Sequence, residues 1–368
     1  LGDIVENCSS KRIPLKQADR AERNGDYRYY GASGVIDYVD DYLFDGDYLL
    51  IGEDGNNLIS RSTPIAFHAS GKFWVNNHAH VLTSSGKADL GFISYYINSI
   101  NLEPYITGSA QPKLNKSNLE AIKIPLPPLV EQKRIAEILD KADAIRRKRQ
   151  QTIQLADDFL RSVFQDMFGD PVSNPKGWDL KPIKELAKVT TGNTPARKVP
   201  EYFGGEMEWI KSDNINTPYH ILTTAKEYLS VEGINVSRTV PKGSTLITCI
   251  AGSFDCIGNA AYTDREVAFN QQINALTPKE SVLSWFLYAL IVFSKKTIQN
   301  ASTNSMKGMI SKGKLEEVKL IHPPIELQRK FEEIFDKQIT SVNRLNESFF
   351  HTSKMFNSLS QKAFTGKL

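Results

Sequence analysis

One stretch of this chain occurs twice at a constant spacing, and that repetition limits the available folds more than any other feature. PPLVEQKRIAEILDKADAIRRKRQ, beginning at Pro127, is echoed by PPIELQRKFEEIFDKQ, beginning at Pro323, an offset of 196 residues. At that offset Pro128 falls on Pro324, Leu129 on Ile325, Gln132 on Gln328, Ile138 and Leu139 on Ile334 and Phe335, and Asp140 on Asp336. The register still holds at Ser162, Gln165 and Phe168, which meet Ser358, Gln361 and Phe364 with no insertion between. This is an internal duplication.

Both copies read as long helices. A proline pair leads into each, at a first turn where a missing N–H costs nothing. Apolar residues recur at threes and fours, from Ile135, Ile138, Leu139 and Ala142 to Leu160, Val163 and Phe164, and again from Phe331 to Leu359. No Gly or Pro interrupts either copy, and Gly169-Asp170-Pro171 stops the first. At 1.5 Å per residue each helix is a rod of roughly 60 Å. A seam of that kind needs a partner, and the other copy is the obvious one, so an antiparallel helical hairpin is expected whatever the function.

The repeat extends backwards. SNLEAIKIPLPP (117–128) aligns with GKLEEVKLIHPP (313–324) at the same offset, and FWVNNHAHVLTS (73–84) with VAFNQQINALTP (267–278) at 194. LGDIV (1–5) resembles IKELA (183–187). The unit of repetition is therefore a variable globular part followed by a long helix. The expected division is 1–126, 127–171, 172–322 and 323–368. Candidate strands fall at 48–52, 64–68 and 73–75 in the first globular part and at 208–211 and 244–250 in the second. Turn clusters such as GEDGNN (52–57) separate them, and helices are expected at 90–100 and 283–300. The fold class is α+β, with two α/β domains on twisted sheets joined by the helix pair in a pseudo-two-fold repeat.

Composition excludes some classes. At 368 residues the chain has room for two or three domains. Cys8, Cys249 and Cys256 are too few and scattered for a disulfide framework, which points to free thiols in a reducing compartment. The longest apolar run, WFLYALIVF, is too short to span a bilayer. No secretory leader is read, a chain beginning at Leu1 is expected to lack its natural start, and the expected location is cytoplasmic. A net charge of +3 neither demands nor excludes nucleic acid.

No phosphate loop, G-x-G-x-x-G or H-E-x-x-H occurs. NTPY (216–219) is superficially similar to the N-P-P-Y motif of amino-methyltransferases, but Thr217 occupies the second position and no glycine-rich cofactor loop accompanies it. A turn is the reading adopted. His78 and His80 lack neighbours to complete a metal-ligand set, so they read as part of a loop or strand pair or as a half-buried polar patch. No catalytic residue, metal or cofactor is assigned.

IPLPPLVEQKRIAEILD with its echo LIHPPIELQRKFEEIFD, the stretch GNTPARKVPEYFGGEMEWIKSDNI (192–215) and the ending QKAFTGKL together resemble the specificity subunit of type I restriction–modification enzymes. The resemblance covers essentially the whole chain, in the order variable domain, helix, variable domain, helix. The second copy departs by carrying Leu327 where the first has Glu131, and the first variable part shows ENCSSKRIPL (6–15) in place of a GNTP-type stretch. The resemblance implies two target-recognition domains, each reading one half of an asymmetric split site in double-stranded DNA. It also implies a helix pair that spaces them and docks two methyltransferase subunits, with restriction and translocase subunits added. Methyl donor and ATP would belong to those partners.

Base readout uses Arg or Lys for guanine and Asn or Gln for adenine, with basic and polar groups on phosphates. On that ground the first domain offers Lys11, Arg12, Arg28, Tyr30, Arg61 and the pair Asn76–Asn77. The second offers Asn193, Thr194, Arg197, Lys198, Lys211, Ser212, Asn214, Gln271 and Gln272, and, in NASTNSMKG, Asn304, Ser305 and Lys307. For each of these an ordinary solvated position is the competing reading. Asn76 matches Asn270, and a polar residue repeated in both copies fits a role in the shared fold better than one in discrimination. Glu131, Gln132 and Arg134, with Gln328 and Arg329, are the expected partner-docking positions in the motif. RRKR (146–149) fits a solvated helix face, phosphate, or an acidic partner surface. A coiled-coil protein adaptor and the recognition subunit of a related phage-defence complex are the alternatives.

Overall fold

The computed structural model describes residues 1–108, 110–302 and 308–368. The two repeats fold as helices of 40 residues each, Leu129–Phe168 and Ile325–Phe364. Adding 196 to the first pair of bounds gives the second: 129 becomes 325 and 168 becomes 364. The carbonyls of Pro128 and Pro324, just ahead of each helix, accept the amides of Gln132 and Gln328 at 3.1 and 3.3 Å. Gly169 ends the first helix at a φ of 79°, a conformation that costs glycine nothing, with its N–H on Gln165 O at 2.8 Å. No helix among the described residues is long and apolar enough to cross a membrane.

By packing, the chain divides into two compact units, residues 1–148 with 350–368, and residues 149–349. In each unit a segment of one long helix runs antiparallel to a segment of the other. In the first, Arg134 reaches the carbonyl of Leu368 (3.2 Å) and Arg146 lies 5.3 Å from the Phe356 ring centroid. In the second, Arg149 donates to Ser348 O (2.8 Å) and Phe168 meets Phe331 (5.6 Å between centroids).

The first unit is built on six strands, β1 (Val5–Asn7), β2 (Tyr27–Gly31), β3 (Gly34–Val39), β4 (Phe44–Gly52), β5 (Ala66–Val75) and β6 (Ala79–Ser84), in the order β1-β6-β4-β5-β2-β3. Only β2 and β5 pair in parallel. The expected strands 64–68 and 73–75 are the two ends of the single strand β5. The run Leu49-Leu50-Ile51 is buried because successive side chains point to opposite faces. Leu49 and Ile51 join the core that includes Ile93 and Ile97 of the helix Leu90–Ser99, while Leu50 joins Tyr30, Phe44 and Phe73 on the other face. The β4–β5 ladder passes through Gly46 and Gly71, which face each other at positive φ (126° and 78°), so both strands turn without losing register.

The second unit carries the same pairings with the counterparts of β4 and β5 each broken in two. Tyr228–Leu229, Phe203–Ile210, Val267–Phe269 and Thr239–Val240 form one sheet, and Ala260–Tyr262, Thr245–Thr248, Ile273–Pro278 and Ala187–Thr191 form another. Thr239–Val240 and Thr245–Thr248 together correspond to β4, since Val240 pairs with Val267 as Phe44 pairs with Phe73. Between them stand Pro241, which has no N–H for a ladder, and Gly243 at a φ of 90°. The helix expected at 283–300 is two helices, Ser284–Phe293 and Lys295–Asn300.

A stripe at i, i+4 and i+8 on each long helix anchors the globular part of its unit, because such residues share one helix face. Gln132 is 1% exposed; its Nε2 donates to Pro127 O (2.8 Å) and its Oε1 accepts Asp89 N (2.9 Å). Gln328 is fully buried and repeats this with Pro323 O (2.9 Å) and Leu283 N (3.0 Å), adding Ser281 O (3.2 Å). At the third position Asp140 accepts the Tyr95 hydroxyl (2.7 Å), and Asp336 accepts the Trp285 indole N–H (3.1 Å).

The middle position differs by a compensating exchange. In the first unit Asp89 caps its own helix through Phe92 N (2.9 Å), and Ala136 packs so closely on Gly91 that a Cβ there would come within 3.3 Å. In the second, the capping position is Leu283 and the carboxylate sits on the long helix instead, as Glu332 accepting Trp285 N at 2.6 Å. Burial raises the Glu332 carboxyl above the ordinary range even though the amides of Trp285 and Phe286 favour its charge. Around this stripe the second unit packs an aromatic seam in which Phe164 meets Phe293, Phe331 and Phe286 at 4.9, 5.5 and 6.1 Å.

Gln328→Ala leaves the buried Pro323 O and the half-buried Leu283 N without this partner and is expected to lower unfolding stability by about 1–3 kcal/mol. The exposed neighbour change Lys330→Ala should shift it by less than about 0.5 kcal/mol; denaturant titration followed by tryptophan fluorescence checks both. Glu332→Gln keeps the acceptor and removes the titration. A carboxyl raised in the folded state loses stability as pH climbs from the ordinary carboxylate range through the folded value. The variant should therefore gain on the parent across that window and match it below, and a pH-independent difference would contradict this.

Candidate nucleic-acid interface

At one end of each sheet system the same backbone framework holds unlike loops. Asn76 N donates to Tyr30 O (3.1 Å) and Asn270 N to Ile210 O (3.0 Å). Both asparagines are buried, and each Oδ1 accepts the amide two residues on, at His78 (2.8 Å) and Gln272 (3.0 Å). The repeated asparagine thus shapes a turn, as its repetition implied. Glu53 N and Cys249 N donate to His78 O and Gln272 O, both at 2.8 Å. Leu114 N and Ile310 N then donate to Glu53 O (2.7 Å) and Cys249 O (2.9 Å). The loops after the first strands, 8–15 and 192–199, complete the clusters.

Several residues expected on DNA are instead engaged within the fold. Arg12 pairs with Glu53 (2.7 Å) and donates to Ser9 O, Asn77 O and Ala79 O. Burial opposes ionisation of Glu53, but Arg12 and Lys113 outweigh it and hold the carboxyl below the usual range. Arg61, at a φ of 49°, closes the end of the helix Leu90–Ser99 by donating to Asn98 O (3.0 Å) and Ile100 O (2.5 Å). Tyr30 is buried against Phe73 and Phe67. Asn193 bridges Val236 O and Arg238 N, and buried Asn214 bridges Thr223, Thr224 and Lys211 N. A single chain gives no signal separating such structural asparagines and arginines from exposed ones.

Other candidates are at the surface. Lys11, Arg28, Thr194, Arg197, Lys198 and Gln271 are exposed, and Lys211 and Ser212 are half-buried. Thr194 Oγ1 donates to Gln271 Oε1, which brings two of them together. Arg197 pairs with Glu227 (2.6 Å) and lies over the rings of Phe203 and Trp209, 4.7 and 4.8 Å from their centroids. Lys211 holds the same carboxylate, and the two cations keep Glu227 well below the usual range. Glu227 was not singled out in the sequence, since nothing local marks it. Asn304, Ser305 and Lys307 lie outside the described residues.

His78 contacts Asp54 through Nδ1 at 2.9 Å. His80 is buried; its Nε2 meets Leu114 O (2.7 Å), a carbonyl that only accepts, so Nε2 carries the proton, and burial lowers its affinity for a second one. On the long helices the docking positions separate into two kinds. Gln132 and Gln328 are internal anchors with no surface to offer. Glu131 and Arg134 form an exposed pair (2.7 Å), and Arg329 is exposed beside Glu326 (3.9 Å). In RRKR, Arg146 and Arg147 both pair with Asp143, at 2.5 and 2.9 Å.

The charge balance of the two variable parts is opposite. Residues 1–126 carry 12 Lys and Arg against 15 Asp and Glu, a net of −3, and residues 172–322 carry 18 against 14, a net of +4. Arg20 and Arg23 of the first part are further tied to Asp37 (2.7 Å) and Asp40 (2.9 Å).

Residues 1–155 and 175–348 match the family described as the type I restriction modification DNA specificity domain. A putative type I restriction enzyme specificity subunit of Haemophilus influenzae is 26% identical over 365 residues, spanning 94% of this chain and 88% of that protein. The specificity subunit of the type I restriction enzyme MjaIX from Methanocaldococcus jannaschii is 31% identical over 183 residues, 47% of this chain and 41% of that protein. The crystal structure of the S subunit of a type I restriction–modification system from M. genitalium shares the fold, with a TM-score of 0.65 at 15% identity over 99% of this chain and 94% of that one. With two matched segments, each carrying its own sheet framework and most of a long helix, the chain belongs to the type I restriction–modification DNA specificity family.

Proposed function

We propose that this chain is the DNA sequence-recognition subunit of a type I restriction–modification complex, with residues 1–126 and 172–322 as its two target-recognition domains. Each domain reads one half of a split sequence. The halves differ because the loops differ. One observation carries the reading: the same buried framework, Gln132 and Asn76 in one unit and Gln328 and Asn270 in the other, supports loops of unlike sequence. A duplicated scaffold with divergent tips suits two related tasks on two different targets.

The long helices, with Glu131, Arg134 and Arg329 at the surface of their first two turns, dock two methyltransferase subunits, and restriction subunits join that assembly. Methyl transfer and ATP use belong to those partners, and this chain contributes no catalytic group. On the DNA side Lys11 and Arg28 of the first domain, and Lys198 and Gln271 of the second, are the contact positions, with Thr194 holding Gln271. Arg197 and Lys211 reach phosphate by leaving Glu227.

The net +4 of the second domain makes it the main source of phosphate attraction. Lys198→Gln in the complex with methyltransferase should reduce the slope of log affinity against log salt by about 1, equally on all sequences. Lys11→Gln should change it less, and the reverse ranking would contradict the assignment. Deleting the chain from its host should erase one bipartite methylation motif from the genome, and an unchanged pattern of methylated bases would overturn the proposed function.

A further inference from the structure

The duplication makes it possible to ask which exposed side chain changes where the backbone does not. Val267–Phe269 and Ile273–Pro278 lie 194 residues beyond the corresponding parts of β5 and β6, so Asn77 and Gln271 occupy the same place. Each directly follows the turn-forming asparagine, Asn76 or Asn270, and each precedes a carbonyl, at His78 or Gln272, held by the same backbone donor, at Glu53 or Cys249. Both side chains are exposed, whereas Asn76 and Asn270 just before them are buried. Both carry an amide, the group whose paired donor and acceptor match the edge of a base.

The loop after the first strand orients both residues by different means. In the first unit Arg12 fixes the backbone at this turn, donating to Asn77 O (3.3 Å) and Ala79 O (2.6 Å) while anchored on Glu53. In the second unit Thr194 fixes the side chain itself, its hydroxyl donating to Gln271 Oε1. The Nε2 donor of Gln271 and the whole side-chain amide of Asn77 have no partner among the described residues. A framework that holds a turn rigid, aims one amide outward and varies its length between the copies is what discrimination between two half-sites requires.

We propose that Asn77 and Gln271 are equivalent base-reading residues, one for each half-site, with Arg12 and Thr194 as their positioning residues. This rests on the DNA-recognition reading above. The test uses the full chain with its methyltransferase partner on a library in which each half-site is randomised in turn. Gln271→Leu should relax preference at one base of the second half-site by about 5- to 150-fold, the range of a bidentate amide–base contact. It should leave the first half-site and the salt slope unchanged. Asn77→Leu should do the same for the first half-site only. Thr194→Val keeps the amide but frees its orientation, and should relax the same base as Gln271→Leu by a smaller factor. Both amide positions are exposed, so thermal midpoints should match the parent, and Gln271→Asn gives a second variant that retains the amide at a shorter reach. An unchanged motif, an equal loss on every sequence, or relaxation in the wrong half-site would overturn the assignment. A parental complex without sequence preference would instead overturn the underlying function.

Discussion

The structure of each unit depends on a single buried glutamine. Gln132 and Gln328 each tie the carbonyl of the leading proline pair to the amide at the start of the helix that backs the sheet. The glutamine is itself buried, and its one amide, with a donor and an acceptor at the right separation, satisfies two backbone groups at once. Neither a carboxylate nor a lysine offers both functions, so the residue is fixed by its hydrogen-bonding inventory. Because it sits one turn into a 40-residue helix, it also sets where that helix meets the globular part.

Around this fixed point the copies diverge in ways that preserve the physics and change the residues. The capping carboxylate moves from Asp89 in one copy to Glu332 in the other, and the small pair Gly91 and Ala136 becomes Trp285 and Glu332. The third stripe position stays aspartate but takes a phenol in one unit and an indole in the other. A strand that bends through paired glycines in the first unit is broken by Pro241 in the second. Each change keeps buried polar groups partnered. The loops beyond the framework are under no such constraint, which leaves them able to differ in what they bind.

The long helices were legible in the sequence because a proline start, an apolar period near 3.6 and a glycine stop agree with one another. The repeat itself supplied the register, down to the helix bounds. Strands were read less well: those expected at 64–68 and 73–75 belong to one strand, β5, which continues through Gly71 because Gly46 faces it in the ladder. Among the candidate interface residues the pattern of charges and amides was visible, but not which were internal. Arg12, Arg61, Asn193 and Asn214 carry the chemistry of DNA contacts and use it on backbone carbonyls and neighbouring side chains. Gln132 and Gln328 stood out as motif residues, yet their role is anchoring, because a buried amide and an exposed one look alike in a single sequence.

The central claim is that two unlike loop sets on a common framework read two halves of one DNA site. The most direct measurement replaces residues 172–322 with the matching segment of another member of the family, in the full-length chain, and maps the methylated sequence of the resulting complex. The account predicts that one half-site is replaced by that of the donor while the other is retained unchanged. A change in both halves, or in neither, would contradict it.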